Sequence, residues 1–261
     1  MVTAGIDIGS LSAQAVIVNE KGIMSYSNVV AGVNRSETAD RILKLALDDA
    51  SMEREDIEFI VGTGYGRYSV PFADKSITEI TCHARGANYF FPEVRTILDM
   101  GGQDCKAIRC DEKGTVKAFV MNDKCAAGTG RSMEVISKLL DIPLEEIGPL
   151  SLDIEEKPPL LSNTCVVFAK SEALRLIRSG VPRNEVLAAY CDALARRIIL
   201  LIKKTGLEEE FAITGGIGKN VGVVRRIEES LHTKANICFE PQIVGALGAA
   251  LIAGDLLKKK K

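Results

Sequence analysis

The chain predicts an α/β fold made of two similar halves, and three observations carry that expectation. Short segments rich in branched residues alternate with longer segments of helical period. A block of three strands joined by glycine-bearing turns stands near the start and again after residue 94, as an internal duplication produces. The 261 residues are 46% hydrophobic and 5% aromatic, enough apolar material for one large or two modest cores.

In chain order, TAGIDIG, SAQAVIVN and KGIMSYSNVVAG read as three strands, the second ending at the tight-turn sequence Asn19-Glu20-Lys21-Gly22. A helix is expected from Glu37 to Met52, then the strand IEFIVGTG and a helix over Glu79 to Phe91. Pro92 ends that unit, having no amide with which to continue a helix. The theme restarts with RTILDMGGQD, CKAIRCDEKG and TVKAFVMN. A helix follows over Gly128 to Leu140, and the acidic, Pro-containing SLDIEEKPPLLSN reads as a loop. A long helix over Asn184 to Lys204 carries Leu187, Tyr190, Cys191, Leu194, Ile198 and Leu201 at helical spacing. FAITGGIGKN gives a strand, a glycine turn and a helix start, and GALGAALIAGDLL is a small-residue helix able to pack very close to a neighbour.

A net charge of -2 and no basic stripe interleaved with aromatics argue against nucleic acid as the main partner. Lys258 to Lys261 read as a solvated tail. The longest charge-free apolar stretch, Gln242 to Gly254, falls short of the roughly 20 residues of a membrane helix. With no signal-peptide pattern at the N-terminus, a cytoplasmic protein is expected.

Seven cysteines and no export signal do not read as a disulfide framework. Cys105 and Cys110 sit an odd number apart on one strand and face opposite ways. Cys82 and His83, neighbours on a helix, diverge. Cys191 and Cys238 read as small core residues in a helix and a strand. Cys125 and Cys165 differ, because each stands at the entrance of an amphipathic helix. Together they make half of a four-thiolate site, which a two-fold dimer completes, and helix N-termini favour thiolates.

The glycine turns carry the remaining chemistry. Asp7-Ile8-Gly9-Ser10 and Asp99-Met100-Gly101-Gly102-Gln103-Asp104 each put an aspartate at a strand end. Glycines there let backbone amides reach phosphate oxygens, and the carboxylates suit Mg2+ held through water. Either turn alone also fits a plain hairpin. With Thr214-Gly215-Gly216-Ile217-Gly218 as a third turn, the set points to a nucleotide. No G-x-x-x-x-G-K-[ST] occurs, and GTGYG at 62–66 lacks the spacing of a dinucleotide fingerprint.

These residues resemble the superfamily of actin, sugar kinases and heat-shock chaperones: GIDIGSLSAQAVIV its first phosphate loop, ILDMGGQDCKAI its second, FAITGGIGKN its adenosine loop. Within it, GTGYGR, ADKSITEITCHARGA and above all MNDKCAAGTGR with TCVVFAKSE are similar to the activators of 2-hydroxyacyl-CoA dehydratases, of the BadF/BadG/BcrA/BcrD ATPase family. The resemblance implies two duplicated ribonuclease-H-like domains, 1–93 with 240–261 and 94–239, closing on ATP. Asp7, Gly9, Ser10, Leu11 and Ser12 would face the phosphates, and Gly101 and Gly102 would lie in the second loop. Asp7 and Asp99 would hold Mg2+ through water, with Asp104 beside them and Gln103 orienting the attacking water. Gly215, Gly216, Gly218 and Asn220 would approach the adenosine, and Gly128 and Gly130 would let the following helix pack closely at the hinge.

The resemblance further implies a homodimer with one 4Fe–4S cluster held by Cys125 and Cys165 of both subunits. Ferredoxin or flavodoxin would supply its electron, and an iron–sulfur partner enzyme would receive it. The chain departs from the pattern at Leu11 and Gln14, where related activators read G-S-T-x-x-K, and at Lys170, where they carry an acid. A benzoyl-CoA reductase or a double-cubane reductase is therefore a rival acceptor. A small-molecule kinase and a nucleotide-gated assembly or chaperone module stay open as other classes of the same fold.

Overall fold

Strand β1 (Thr3–Ile8) is buried along its whole length because both its faces are covered. A computed structural model of the chain, which describes residues 1–122, 128–162 and 165–260, places it in the middle of a five-stranded sheet. β2 (Ser12–Asn19) and β3 (Gly22–Val30) continue from it as an antiparallel meander. Helix α1 (Arg35–Ala50) begins two residues before the expected start because Asn34 caps it, its side chain accepting from the Ser36 and Glu37 amides. β4 (Phe59–Thr63) and β5 (Lys75–Ser76) return parallel on the other side of β1, and α2 (Glu79–Phe90) follows, capped by Thr78.

The second half repeats the plan. β6 (Thr96–Met100), β7 (Cys105–Cys110) and β8 (Val116–Met121) form the same antiparallel meander. Both meanders break register near the same place, between Ile17 and Val18 in one and between Arg109 and Cys110 in the other. Four helices are then inserted: α3 (Gly130–Leu140), α4 (Leu144–Leu150), α5 (Val166–Arg178) and α6 (Arg183–Thr205). Helix α4 has no periodic signature, since seven residues span only two turns and Pro149 reads as a breaker. β9 (Phe211–Thr214) returns parallel to β6, giving the order β8-β7-β6-β9, and α7 (Val221–Leu231) and α8 (Val244–Lys260) close the chain. The counterpart of β5 is reduced to one bridge between Ala212 and Asn236. Cys238, expected in a strand, lies just past that bridge and outside any strand, because four-residue β9 offers so short an edge.

Alternation along the two central strands sets the layers. Ala4, Ile6 and Ile8 pack with Ile42, Leu43 and Ala46 of α1. On the opposite face the Thr3 hydroxyl donates to the Ala250 carbonyl at 2.8 Å, and Gly5 lies where a Cβ would come 2.0 Å from the Ala246 carbonyl oxygen. In the second sheet Leu98 and Met100 join the core of α6, while Ile97 faces Ala84 and Ala87 of α2. Helices α8 and α2 thus form the middle layer, α8 on the first sheet and α2 on the second. Small residues permit the contact, as the sequence suggests: a Cβ at Gly248 would sit 1.8 Å from the Cys82 carbonyl oxygen. The apolar segment runs longer than expected, Pro241–Lys259, enough by length and composition to cross a membrane, but 61% of it is buried inside the fold. It serves here as the core helix.

Candidate nucleotide cleft

Asp7 and Asp99 occupy equivalent places. Asp7 pairs in register with Gln14 on β2 and Thr63 on β4; Asp99 pairs with Lys106 on β7 and Thr214 on β9. The turns that follow close the same way, Gly9 N–H donating to the Ser12 carbonyl and Gly101 N–H to the Asp104 carbonyl, both at 2.9 Å. They also touch each other: a Cβ on Gly102 would lie 2.8 Å from Ser10 Oγ and from Leu11 Cγ. Only glycine lets the two turns approach this closely.

Between them opens a cleft of about 820 Å³. The first turn lends it Asp7, Gly9, Ser10, Leu11 and Ser12, and the second lends Asp99, Gly101, Gly102, Gln103 and Asp104. Gly215, Gly216 and Asn220 line the far side, with Gly130 at the start of α3. Gly218 does not line it; the single 3-10 turn over Gly216–Lys219 directs it against Ile213 and Pro241. Gly130 N–H donates to the Gly101 carbonyl at 3.0 Å and Arg131 N–H to that of Gly102 at 2.8 Å, so the close approach of α3 is to the second glycine turn. Gly128 packs instead on Arg197 of α6.

The electrostatics separate the two carboxyls. Burial pushes Asp7 up to about 6, with nearby Asp99 adding to the rise and His83 opposing it. Burial acts against the charge of Asp99 too, but His83, Lys106 and the Thr214 hydroxyl overcome it and hold this carboxyl below its ordinary value. Lys106 is almost wholly buried and sits 2.7 Å from Asp104 Oδ1 and 3.5 Å from Asp99 Oδ2. Against the cost of burying its charge, those two carboxylates hold Lys106 above its ordinary value.

Two contributors are not foreseen from the sequence, and a third, Gln14, is singled out there only as a departure from the family pattern. Lys106 follows Asp104 by two residues, the period that places two strand residues on one face, and that signal is available in the chain. His83 projects from α2 into the cleft floor, and no local pattern marks it. Gln14 donates to Ser12 Oγ and Asn28 Oδ1, both at 2.9 Å, and Asn28 donates on to Gln242 Oε1 at 2.9 Å. The first turn is thereby tied to the Gln242 edge of the cleft.

Two converging carboxylates and open glycine turns suit Mg2+, which takes hard oxygen donors and few carboxylates. Among the described residues no group of three or more His, Cys, Asp or Glu gathers to hold a metal ion, so an ion at Asp7 and Asp99 would draw the rest of its shell from water and phosphate.

Of the two singled-out cysteines, Cys125 lies outside the described residues. Cys165 stands at the N-cap of α5, half-buried, in extended backbone and with no side-chain cap bond. It lines a small cavity with Gly128, Ser162, Tyr190 and Arg197. The buried cysteines behave as core residues: burial pushes the Cys82 thiol up to about 12 and those of Cys110 and Cys191 to about 11. Cys105 and Cys110 do face opposite ways, one packing with α6 and the other with α2.

Two duplicated sheets, a middle layer of two helices and paired aspartate–glycine turns define an actin-like ATPase fold. Residues 4–253 match the model of the BadF/BadG/BcrA/BcrD ATPase family, and the chain belongs to that family. It is 44% identical over 260 residues to the activator of lactoyl-CoA dehydratase from Anaerotignum propionicum, covering 100% of both. One of the benzoyl-CoA reductase chains of Thauera aromatica is 30% identical over 261 residues, covering 96% of this chain and 92% of that one. Among solved structures, the activator of the 2-hydroxyisocaproyl-CoA dehydratase from Clostridium difficile with bound ADPNP superposes with a TM-score of 0.94 at 37% identity, covering 100% of this chain and 97% of that chain. The resemblance read from MNDKCAAGTGR and TCVVFAKSE thus holds at the level of the family.

Proposed function

We propose that this protein hydrolyses ATP in the cleft and couples hydrolysis to one-electron transfer from a 4Fe–4S cluster shared by two copies of the chain. The acceptor is an iron–sulfur partner enzyme, a 2-hydroxyacyl-CoA dehydratase, and a ferredoxin or flavodoxin is the donor. The observation that carries this reading is a continuous connection between cleft and cysteine. Helix α3 is hydrogen-bonded at its first turn to Gly101 and Gly102, and Gly128, three residues after Cys125, shares a small cavity with Cys165. In this reading a change at the second glycine turn is passed through the start of α3 to Gly128 and the cavity that Cys165 lines.

In this reading the turns at Gly9 and Gly101 receive phosphate through backbone amides. Asp7 and Asp99 hold Mg2+, which neutralises phosphate charge. Gln103 orients the attacking water, Asp104 fixes Lys106 beside it, and Asn220 with Gly216 borders the adenosine. The lobes 1–93 with 240–261 and 94–239 close on the nucleotide, and ATP biases that angle only by binding one state better. Cys125 and Cys165 of each protomer ligate the cluster, which supplies the one-electron couple when bound. The N-terminus of α5, at which Cys165 stands, favours its negative charge.

The relative among benzoyl-CoA reductase chains and the exposed Lys170 on α5 favour a second acceptor class, a benzoyl-CoA reductase or a double-cubane protein. Iron and acid-labile sulfide in anaerobically purified protein test the cluster. About two irons per chain, lost in Cys125→Ser and Cys165→Ser, are expected. No iron in the parent after reconstitution would leave an ATPase without electron transfer. ATP-dependent reduction of a purified dehydratase, set beside a benzoyl-CoA reductase, decides the acceptor.

A further inference from the structure

The middle-layer helix α2 lends Glu79 and His83 to the cleft, and His83 stands where its two halves meet. His83 is 5% exposed and lines the cleft together with Asp7 and Asp99. Its Nδ1 lies 3.0 Å from Thr214 Oγ1, and Thr214 Oγ1 lies 3.2 Å from Asp99 Oδ1. Asp99 Oδ1 only accepts, so the Thr214 hydroxyl spends its proton there and accepts from His83 Nδ1–H. That chain of donors puts a proton on Nδ1. The opposite ring edge faces Asp7: a Cβ on Gly245 of α8 would lie 2.2 Å from Asp7 Oδ2 and 2.9 Å from His83 Nε2. Only a glycine at 245 leaves room for the ring and the carboxylate side by side.

We infer that His83 is a positioning residue for ATP hydrolysis, holding Asp99 through Thr214 and by its own Nδ1 at 3.5 Å from Asp99 Oδ1, and setting the spacing of Asp99 from Asp7 across the seam between the two sheets. Thr63, the counterpart of Thr214 in the first sheet, packs beside Cys82 instead, so the device serves one aspartate only. The α2–α8 contact on which the ring stands is made of glycines that admit no slack, as at Gly86, where a Cβ would come 2.1 Å from the Val244 carbonyl oxygen. A misplacement of the reacting geometry by about 1 Å costs on the order of 100-fold in rate. The role therefore shows in kcat, whereas nucleotide affinity, built from backbone amides of the turns, stays nearly unchanged.

The inference rests on the cleft being the ATP site, and the experiment separates the two. Anaerobically purified parent, His83→Ala, His83→Asn and Thr214→Val are compared for ATP hydrolysis and for ADPNP binding by calorimetry. Asn places an amide N–H where Nδ1–H stands. Expected are an ADPNP affinity within about threefold of the parent in all variants, a kcat lowered about 100-fold in His83→Ala and Thr214→Val, and recovery to within about fivefold in His83→Asn. The double variant His83→Ala with Thr214→Val should be no slower than either single one. A kcat within threefold of the parent in His83→Ala, or equal losses in Ala and Asn, overturns the inference. If His83→Ala does not fold, His83→Asn and Thr214→Val decide alone: a parent-like Thr214→Val or a dead His83→Asn overturns it. A parent that neither binds ADPNP nor hydrolyses ATP removes the nucleotide reading itself, and the role of His83 with it.

Discussion

Gly64 and Gly215 are the same residue twice. Each follows the strand that runs parallel to an aspartate-bearing strand, with φ of +85° and +84°, and each is pressed against that aspartate. A Cβ would come 2.2 Å from Asp7 Oδ1 at Gly64 and 2.7 Å from Asp99 Oδ1 at Gly215. The pair shows that the duplication reaches atomic detail where phosphate is expected to bind. It also shows what holds each carboxylate in place: a backbone that passes too close for any side chain.

Gly215→Ala therefore meets two penalties at once. With φ +84° and ψ 171° its backbone lies in a region essentially confined to glycine, which costs an alanine on the order of 1–3 kcal/mol, and the added methyl would also lie 2.5 Å from the Met100 carbonyl oxygen. A loss of about 2–4 kcal/mol in urea unfolding is expected, with ADPNP binding weakened at least tenfold. Gly180 supplies the control, since its φ is +88° and nothing lies within 4 Å of the added Cβ. Gly180→Ala should lose only about 1 kcal/mol and bind ADPNP as the parent does; equal losses at both positions would mean that crowding at Asp99 contributes nothing.

Gln14 stands where related activators carry a cation, and its amide is committed to Ser12 and Asn28. Truncating it hands the exposed Asn28 Oδ1 to water, a loss of about 0.5–1.5 kcal/mol, and frees the first turn from the Gln242 edge. Gln14→Ala is expected to raise KM for ATP about five- to tenfold with kcat changed less than threefold, read from steady-state phosphate release. Gln14→Glu is expected to do worse, because it adds a negative charge beside the phosphates. A lower KM in Gln14→Glu than in Gln14→Ala would show that residue 14 does not face the nucleotide.

Most of the cleft is readable from the sequence because its determinants are local. An aspartate at a strand end, followed by glycines and a second strand, fixes the turn by itself, and this pattern marks Asp7 and Asp99. His83 carries no such mark, because it acquires meaning only when α2 is laid between two sheets, a relation between residues 83, 99 and 214 that no window spans. Gly215, Gly216 and Gly218 look alike in a row, yet the 3-10 turn sends Gly218 to Pro241 and leaves only the first two in the cleft. Helix α4 escapes for lack of length. The link from the second glycine turn to α3 is again tertiary, although the sequence singles out Gly128 and Gly130 for close packing.

The raised Asp7 carboxyl makes stability depend on pH in a definite sense. An unfolded aspartate releases its proton near its ordinary value of 3.8, whereas burial holds the folded one to about 6. Between these values the folded chain binds more protons than the unfolded chain, so its stability falls as pH rises through the window and stays lower above it. Asp7→Asn removes that dependence. In protein free of nucleotide and metal, the variant should gain on the parent by on the order of 2–3 kcal/mol between pH 4 and pH 7, measured by urea unfolding at each pH. Parallel profiles for the two proteins would mean that Asp7 is ionised at little cost in the empty cleft.

The first turn of α5 presents two apolar side chains to solvent two and three residues after Cys165: Val167 is 68% and Phe168 62% exposed. If two copies of the chain share a cluster at this cysteine, these side chains lie in the seam between them. Burying one phenylalanine is worth about 1.5–3 kcal/mol, and a two-fold seam buries it twice. Phe168→Asp replaces that gain with two like charges facing each other. It should weaken dimerisation at least about 100-fold and lower iron per chain in step, as read by light scattering on a sizing column and iron analysis of the same fractions. ADPNP binding should survive, because Phe168 does not line the cleft. A variant that stays dimeric with full iron would place the seam on another face of the molecule and separate Cys165 from it.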